Sequence, residues 1–347
     1  MRRKVIILVL VAIFCSSILF FGGCKNNQGE LNVYNWGDYI DESVIKDFEQ
    51  KYHLKVNYDT FTTNEDMYVK LKAGGNHYDV VIPSDYTIKR LIDEGMLDKL
   101  DFTDIPNYQY ISASFKNLGY DPHNEYSVPY MWGTVGILYN KTMVATKPDS
   151  WKILWDKKYT KQILMLDSQR DSIGVALKML GYSLNSKNLD ELEKAKQALI
   201  DQKPLVLAYV VDEVKDKMIV GEAALAVVWS GDAAFCMQEN KELDYVIPKE
   251  GTNLWFDAMV VPKDATHKKE AELFINYMCD TDIAYRNASY IGYATPHTVA
   301  IKKLPKEITE NRSLYPHASD LKNSEVFIDL GKSVKEFDRI WTEVKAH

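Results

Sequence analysis

Aromatic and acidic residues recur together in short runs along this chain. The runs are Trp36-Gly37-Asp38-Tyr39, Ser84-Asp85-Tyr86, Asp167-Ser168-Gln169-Arg170-Asp171, Trp229-Ser230-Gly231-Asp232, Trp255-Phe256-Asp257 and Tyr290-Ile291-Gly292-Tyr293. The chemistry that such runs suit is the holding of an organic cation. A carboxylate balances an ammonium charge and accepts its hydrogen bonds. Trp and Tyr faces attract cations and also cover methylene chains. A ligand with ammonium ends and a hydrocarbon middle uses both. A buried ammonium without a partner is strongly unfavourable, so each charged end needs an acid. Two ends require two or more of Asp38, Asp171, Asp232 and Asp257. A diamine of about six heavy atoms, at a ceiling of about 1.5 kcal/mol per atom, would gain about 9 kcal/mol. That corresponds to sub-micromolar affinity. Taken singly, each run has a plainer reading, because a lone Trp is usually core and a lone Asp after a strand usually caps a helix. The argument rests on recurrence.

Other chemistries are less well served. The seven histidines, His53, His77, His123, His267, His297, His317 and His347, form no His-Glu-x-x-His, and there is no Gly-x-Ser-x-Gly. A secreted hydrolase is the alternative from another class. Gly331-Lys332-Ser333 has the form of the end of a phosphate loop, but Val326 stands where the first glycine is needed. No cysteine spacing resembles a zinc site, and no cofactor or metal is expected. Closer rivals are binding proteins for another small solute: a sugar, an amino acid, thiamine or ferric iron. Sugar sites need fewer acids, and Tyr39, Tyr86 and Tyr293 offer an iron-like set on paper.

The elements that must position these residues alternate. Leu31–Trp36, Val56–Phe61 and Tyr78–Ile82 read as strands. A helix capped by Asp41 follows the first, one capped by Asn64 follows the second, and a third ends at Gly95. This βαβαβα order indicates a parallel sheet with crossover helices. Further strands are expected at Val135–Asn140, Ile163–Leu166, Leu205–Val211, Ala223–Trp229, Tyr245–Pro248 and Phe256–Val261. Helices are expected at Ser172–Leu180, Leu189–Ile200, from about His267 to Met278, and from Val326 to Lys345. Two α/β lobes without a flexible linker imply several chain crossings, with a ligand between the lobes at the carboxyl ends of the strands.

The chain has 347 residues, enough for two domains, and 49 acidic against 42 basic residues. That excess argues against a nucleic-acid partner. Arg2, Arg3 and Lys4 precede an apolar run from Val5 to Phe21, and Gly22-Gly23-Cys24 follows. Basic, apolar and small residues in this order read as an export signal over residues 1–23. Cys24 after two glycines resembles a bacterial lipobox, which implies a lipid on that cysteine; a permanent membrane anchor is the other reading. Either way the remainder lies outside the cytoplasm, anchored at the outer face of the cytoplasmic membrane or in the periplasm. Removing three cations from the 42 leaves 39 against 49, a formal −10. Cys236 and Cys279 sit in apolar contexts and read as buried free thiols, a disulfide being the alternative.

The run Tyr34-Asn35-Trp36-Gly37-Asp38-Tyr39, with Pro83-Ser84-Asp85-Tyr86, Trp229-Ser230-Gly231-Asp232 and Trp255-Phe256-Asp257, resembles the spermidine/putrescine-binding proteins of bacterial polyamine ABC transporters. The resemblance extends from about Leu31 to the C-terminus. It implies an α/β, two-lobed periplasmic-binding-protein fold of type II with the ligand cleft between lobes. The lobes would comprise residues 30–134 plus 254–302 and residues 135–253 plus 303–347. It also implies capture of putrescine or spermidine by a non-catalytic monomer and delivery to a transmembrane permease. Trp36 and Tyr39 match the family's aromatic pair after the first strand, and Ser84 and Tyr86 its hydroxyl pair. Asp171, Trp229, Trp255, Asp257 and Tyr293 match further ligand-contacting positions. Gly37 stands where members often carry Ser or Thr, and Ser168 where spermidine-preferring members place an acid. Asp232 follows Trp229 as in putrescine-preferring members, and nothing near Phe327 matches the family's C-terminal Gln. These departures lean toward putrescine and leave spermidine open.

Overall fold

The computed structural model of the chain describes residues 29–75 and 77–347. The export segment and Cys24 lie outside them. Strand β1 (Gly29–Trp36) pairs in parallel with β2 (Leu54–Phe61), with Trp36 opposite Phe61. Between them runs α1 (Glu42–Tyr52). The Asp41 carboxylate accepts the Ser43 N–H, which satisfies an amide that the helix leaves unpaired. Val44, Ile45 and Phe48 recur on one face of this helix and are buried. Helix α2 (Asn64–Ala73) starts differently from expectation: Thr63, not Asn64, is its cap and accepts the Asp66 N–H. Asn64 instead turns inward, donating to Ser84 Oγ (3.1 Å) and accepting the Ser84 N–H (3.1 Å). Strand β3 is shorter than expected, only Val80–Val81, and lies parallel to β1. Helix α3 (Asp85–Asp93) follows it, and Gly95, at φ 69°, turns the chain away.

The long strand β4 (Ser127–Asn140) joins two halves of the molecule. It leads to β5 (Ile163–Leu166), α4 (Gln169–Met179), α5 (Leu189–Gln202), β6 (Val206–Val210) and α6 (Val214–Ile219). Strand β7 (Leu225–Trp229), α7 (Ser230–Glu239) and β8 (Leu243–Val246) follow, and then β9 (Leu254–Val260), α8 (Lys268–Met278) and α9 (Thr281–Ile291). Strand order is β2-β1-β3-β9-β4-β7-β5-β6, with β8 beside β4. The flanking pairs are parallel, as the βαβ pattern requires. β4 and β9 run antiparallel to their neighbours and to each other.

The junction of the two halves is built from paired crossings. Ser127–Thr134 of β4 pairs with β9, whereas Val135–Asn140 pairs with β7 and β8. Where the pairing changes, Val135 N–H donates to Asn253 O (3.2 Å) and Thr252 Oγ1 donates to Val135 O (2.5 Å). Leu254 N–H donates to Glu325 O, and Glu325 N–H to Thr252 O, both at 2.9 Å. Three chain segments therefore cross side by side.

The expected helix from Val326 to Lys345 is corrected. Helix α10 covers only Val334–Ala346, after a single 3-10 turn at Gly331–Ser333. Side chains from the second half claim the backbone upstream of it. Asn185 donates to Val326 O and accepts the Ile328 N–H, and Arg170 donates to Ile328 O. Those bonds replace the helical ones. Cys236 and Cys279 are buried free thiols. Among the described residues no helix is long and apolar enough to cross a membrane.

Candidate functional site

A cleft of about 890 Å³, counting its open mouth, lies where the two halves meet. The eleven residues singled out from the sequence all line it: Trp36, Asp38, Tyr39, Ser84, Tyr86, Asp171, Trp229, Asp232, Trp255, Asp257 and Tyr293. The strand ends explain this convergence. Trp36 closes β1, Trp229 closes β7, and helices α3, α4 and α7 begin just after Ser84, Ser168 and Trp229. Asp171 and Asp232 occupy the first turns of α4 and α7, where unpaired helix N–H groups favour negative charge.

Asp257, on β9, is buried, and Tyr39 Oη donates to its Oδ2 at 2.8 Å. Its Oδ1 has no protein partner. Burial pushes this carboxyl up to about 7, against the Ser84 and Tyr39 hydroxyls; the Asp171 charge adds to the rise. Asp171 is also buried, and both its oxygens are engaged: Ser168 Oγ donates to Oδ2 (2.8 Å) and Asn253 Nδ2 to Oδ1 (3.2 Å). Burial raises its pKa despite those bonds and the nearby Arg170. Burial raises Asp232 to about 6, opposed by Lys215. Three carboxyls held above their ordinary range in one cleft favour a cationic occupant, which lets them ionise.

The rings form a continuous wall. Tyr130, Tyr39, Tyr293 and Trp255 follow one another edge to face, with centroid separations of 5.3, 5.5 and 5.4 Å. Two glycines set the last two rings. A Cβ on Gly231 would come within 2.4 Å of the Tyr293 ring, and one on Gly133 within 2.5 Å of Trp255 Cζ2. Trp36 packs on Phe61 at 4.5 Å. Tyr86 Oη donates to Glu65 Oε1 (3.1 Å).

Asp38 differs from the other acids. Its side chain is 72% exposed, and Lys215 Nζ donates to Oδ2 at 2.9 Å. It stands at the rim, already paired. Sequence reasoning missed Glu65, Asp212, Lys215, Asn253 and Phe327, which also line the cleft. Asn253 had a usable signal, two residues before Trp255. Lys215 and Asp212 had none, since no aromatic–acid run marks them. Phe327 was hidden in a segment with helical patterning. Asp85 lines the cleft too but serves the frame: its Oδ2 accepts the Phe256 N–H (3.1 Å) and ties β9 to α3.

The family model described as bacterial extracellular solute-binding protein matches residues 43–314. The spermidine/putrescine-binding periplasmic protein of Escherichia coli (strain K12) is 34% identical over 323 residues, which cover 92% of this chain and 93% of that protein. The putrescine-binding periplasmic protein of Pseudomonas aeruginosa (strain UCBPP-PA14) is 30% identical over 336 residues, covering 91% of this chain and 92% of that one. Among solved structures, a spermidine/putrescine ABC transporter substrate-binding protein from Streptococcus pneumoniae superposes with a TM-score of 0.78 at 40% identity, covering 92% of this chain and 99% of that one. A candidate spermidine/putrescine ABC transporter protein from Listeria monocytogenes gives 0.89 at 44%, covering 91% and 99%.

Proposed function

This chain belongs to the bacterial extracellular solute-binding proteins, and we propose that it captures putrescine or spermidine outside the cytoplasm and delivers it to the transmembrane permease of an ABC transporter. The observation that carries this reading is Asp257: a buried carboxyl with one oxygen unpaired, beside a wall of tyrosine and tryptophan rings. An ammonium donating to Oδ1 would ionise it and complete its hydrogen bonding. The methylene chain would lie against Trp255, Trp229 and Trp36, and Asp232 would take the other end. Ser84, Tyr86, Asp171 and Tyr293 complete the contacts in this reading.

The ligand undergoes no chemistry here. Residues from both halves meet on it, so it binds the closed arrangement better than an open one and shifts the population toward closure. The paired crossings at Val135 and Asn253 are suited to serve as the hinge. On that basis the lobes are residues 30–134 plus 254–302 and residues 135–253 plus 303–347. The protein acts as a monomer, held by a lipid on Cys24 at the outer face of the membrane. Mass spectrometry of small molecules released from the purified, unwashed protein tests the assignment. Putrescine or spermidine in stoichiometric amount supports it, and a sugar, an amino acid or iron in their place overturns it.

A further inference from the structure

The cleft contains a cation of its own. Lys215, in the first turn of α6, belongs to the second half, and its side chain is only 18% exposed. Its ammonium reaches across the rim to Asp38, in the loop after β1 of the first half. Asp38 holds the left-handed backbone conformation there (φ 49°), which an Asp tolerates better than most residues. Asp232 and Asp212 are its other acidic neighbours; together with Asp38 they outweigh burial and raise the lysine's pKa, so it stays charged. Arg170 does not line the cleft; its buried guanidinium lies 4.7 Å from the Tyr86 ring centroid and 4.3 Å from that of Phe327.

Several of the cleft's carboxylates already have donors. Asp171 already accepts from Ser168 and Asn253. Asp38 already accepts from Lys215. Asp85 accepts the Phe256 N–H, Asp257 keeps Oδ1 free, and Asp232 is the remaining buried acid of the cleft. These two buried acids suit the two ammonium ends of a diamine. A third ammonium directed toward Asp38 and Asp212 would meet Lys215, which those acids already hold, and like charges in a partly dry site repel strongly.

We propose that Lys215 is a specificity-determining residue: held across the cleft by Asp38, its ammonium fills a cation position beside Asp232, so that the site favours a linear diamine over a triamine. This rests on the polyamine reading above. The ratio of the two dissociation constants is the informative quantity, because any effect of the Lys215–Asp38 contact on closure acts on both ligands alike. Calorimetric titrations with putrescine and with spermidine are compared for the wild-type protein, Lys215→Met and Asp38→Asn. The wild type is expected to bind putrescine more tightly. Lys215→Met is expected to shift the ratio toward spermidine by about fivefold or more, the scale of removing one like charge from such a site. Asp38→Asn, which frees the ammonium without removing it, is expected to weaken both ligands while the preference for putrescine persists. A wild type that prefers spermidine, or a ratio unchanged in Lys215→Met, overturns the role of Lys215 and leaves the polyamine reading standing. Binding of neither ligand to the wild type overturns that reading and the proposal with it.

Discussion

Tyr39 and Asp257, 218 positions apart in the chain, are joined by a 2.8 Å hydrogen bond from the phenol to Oδ2. The bond orients a carboxylate whose other oxygen has no protein partner. Tyr39→Phe removes the donor and one of the two hydroxyls that oppose the effect of burial. Affinity for putrescine is expected to fall by about 1.5–3 kcal/mol, the usual range for a hydrogen bond to a charged group. The pH at which binding reaches half its maximum strength should also move upward. Calorimetry across pH 5.5–8.5 measures both, and an unchanged profile would remove Tyr39 from the account.

The raised carboxyls make binding and stability depend on pH in opposite senses. Asp257 (about 7) and Asp232 (about 6) lie above the ordinary value of 3.8. A folded-state pKa raised in this way contributes stability that is fully present below the unfolded pKa and is lost as pH rises through the folded one. The ligand-free protein should therefore lose melting temperature between pH 4 and pH 7. An ammonium ligand binds the ionised form, so binding near pH 6 releases protons and strengthens as pH rises toward 8. Titrations in buffers of different ionisation enthalpy read the released protons. Heats independent of buffer at pH 6 would contradict this.

Asp257→Ala should cost far more affinity than Asp38→Ala. Asp257 is buried in the cleft, whereas Asp38 is largely exposed and paired with Lys215. Removing the buried partner of a bound ammonium costs on the order of 3 kcal/mol or more, and removing an exposed ion-pair partner about 1 kcal/mol or less. Equal dissociation constants for the two variants would refute the ranking.

The aromatic wall can be probed from behind as well as directly. Trp255→Leu should weaken binding by about 1–2 kcal/mol through loss of the cation-facing ring. Gly231→Ala should do similar harm without touching the ligand, because its methyl group would overlap the Tyr293 ring. Tryptophan fluorescence titration follows both variants. Wild-type affinity in Gly231→Ala would mean that the Tyr293 ring can move aside freely.

Much of the cleft was legible because αβ topology places strand ends together: Trp36 and Trp229 end strands, and Asp171 and Asp232 follow closely after them. The pattern did not reveal which acids are already paired. Asp38 and Asp232 sit in similar runs, but only the fold brings Lys215 against Asp38, across 177 positions. Phe327 shows the same limit differently. Its neighbours have helical periodicity, yet Asn185 and Arg170, more than 140 positions upstream, take their backbone groups. The length of β4 was also underread. Residues 127–134 are almost uniformly buried, so they lack the alternation that marks a half-exposed strand.

The central claim is that acids and ring faces from two halves hold a short oligoamine. Titration of the purified protein with putrescine and with spermidine at pH 8, with a thermal melt alongside, tests it most directly. The account predicts saturable, one-to-one heats at micromolar or tighter affinity for at least one of them and a raised melting temperature. Absence of heat and of any thermal shift with both would contradict it.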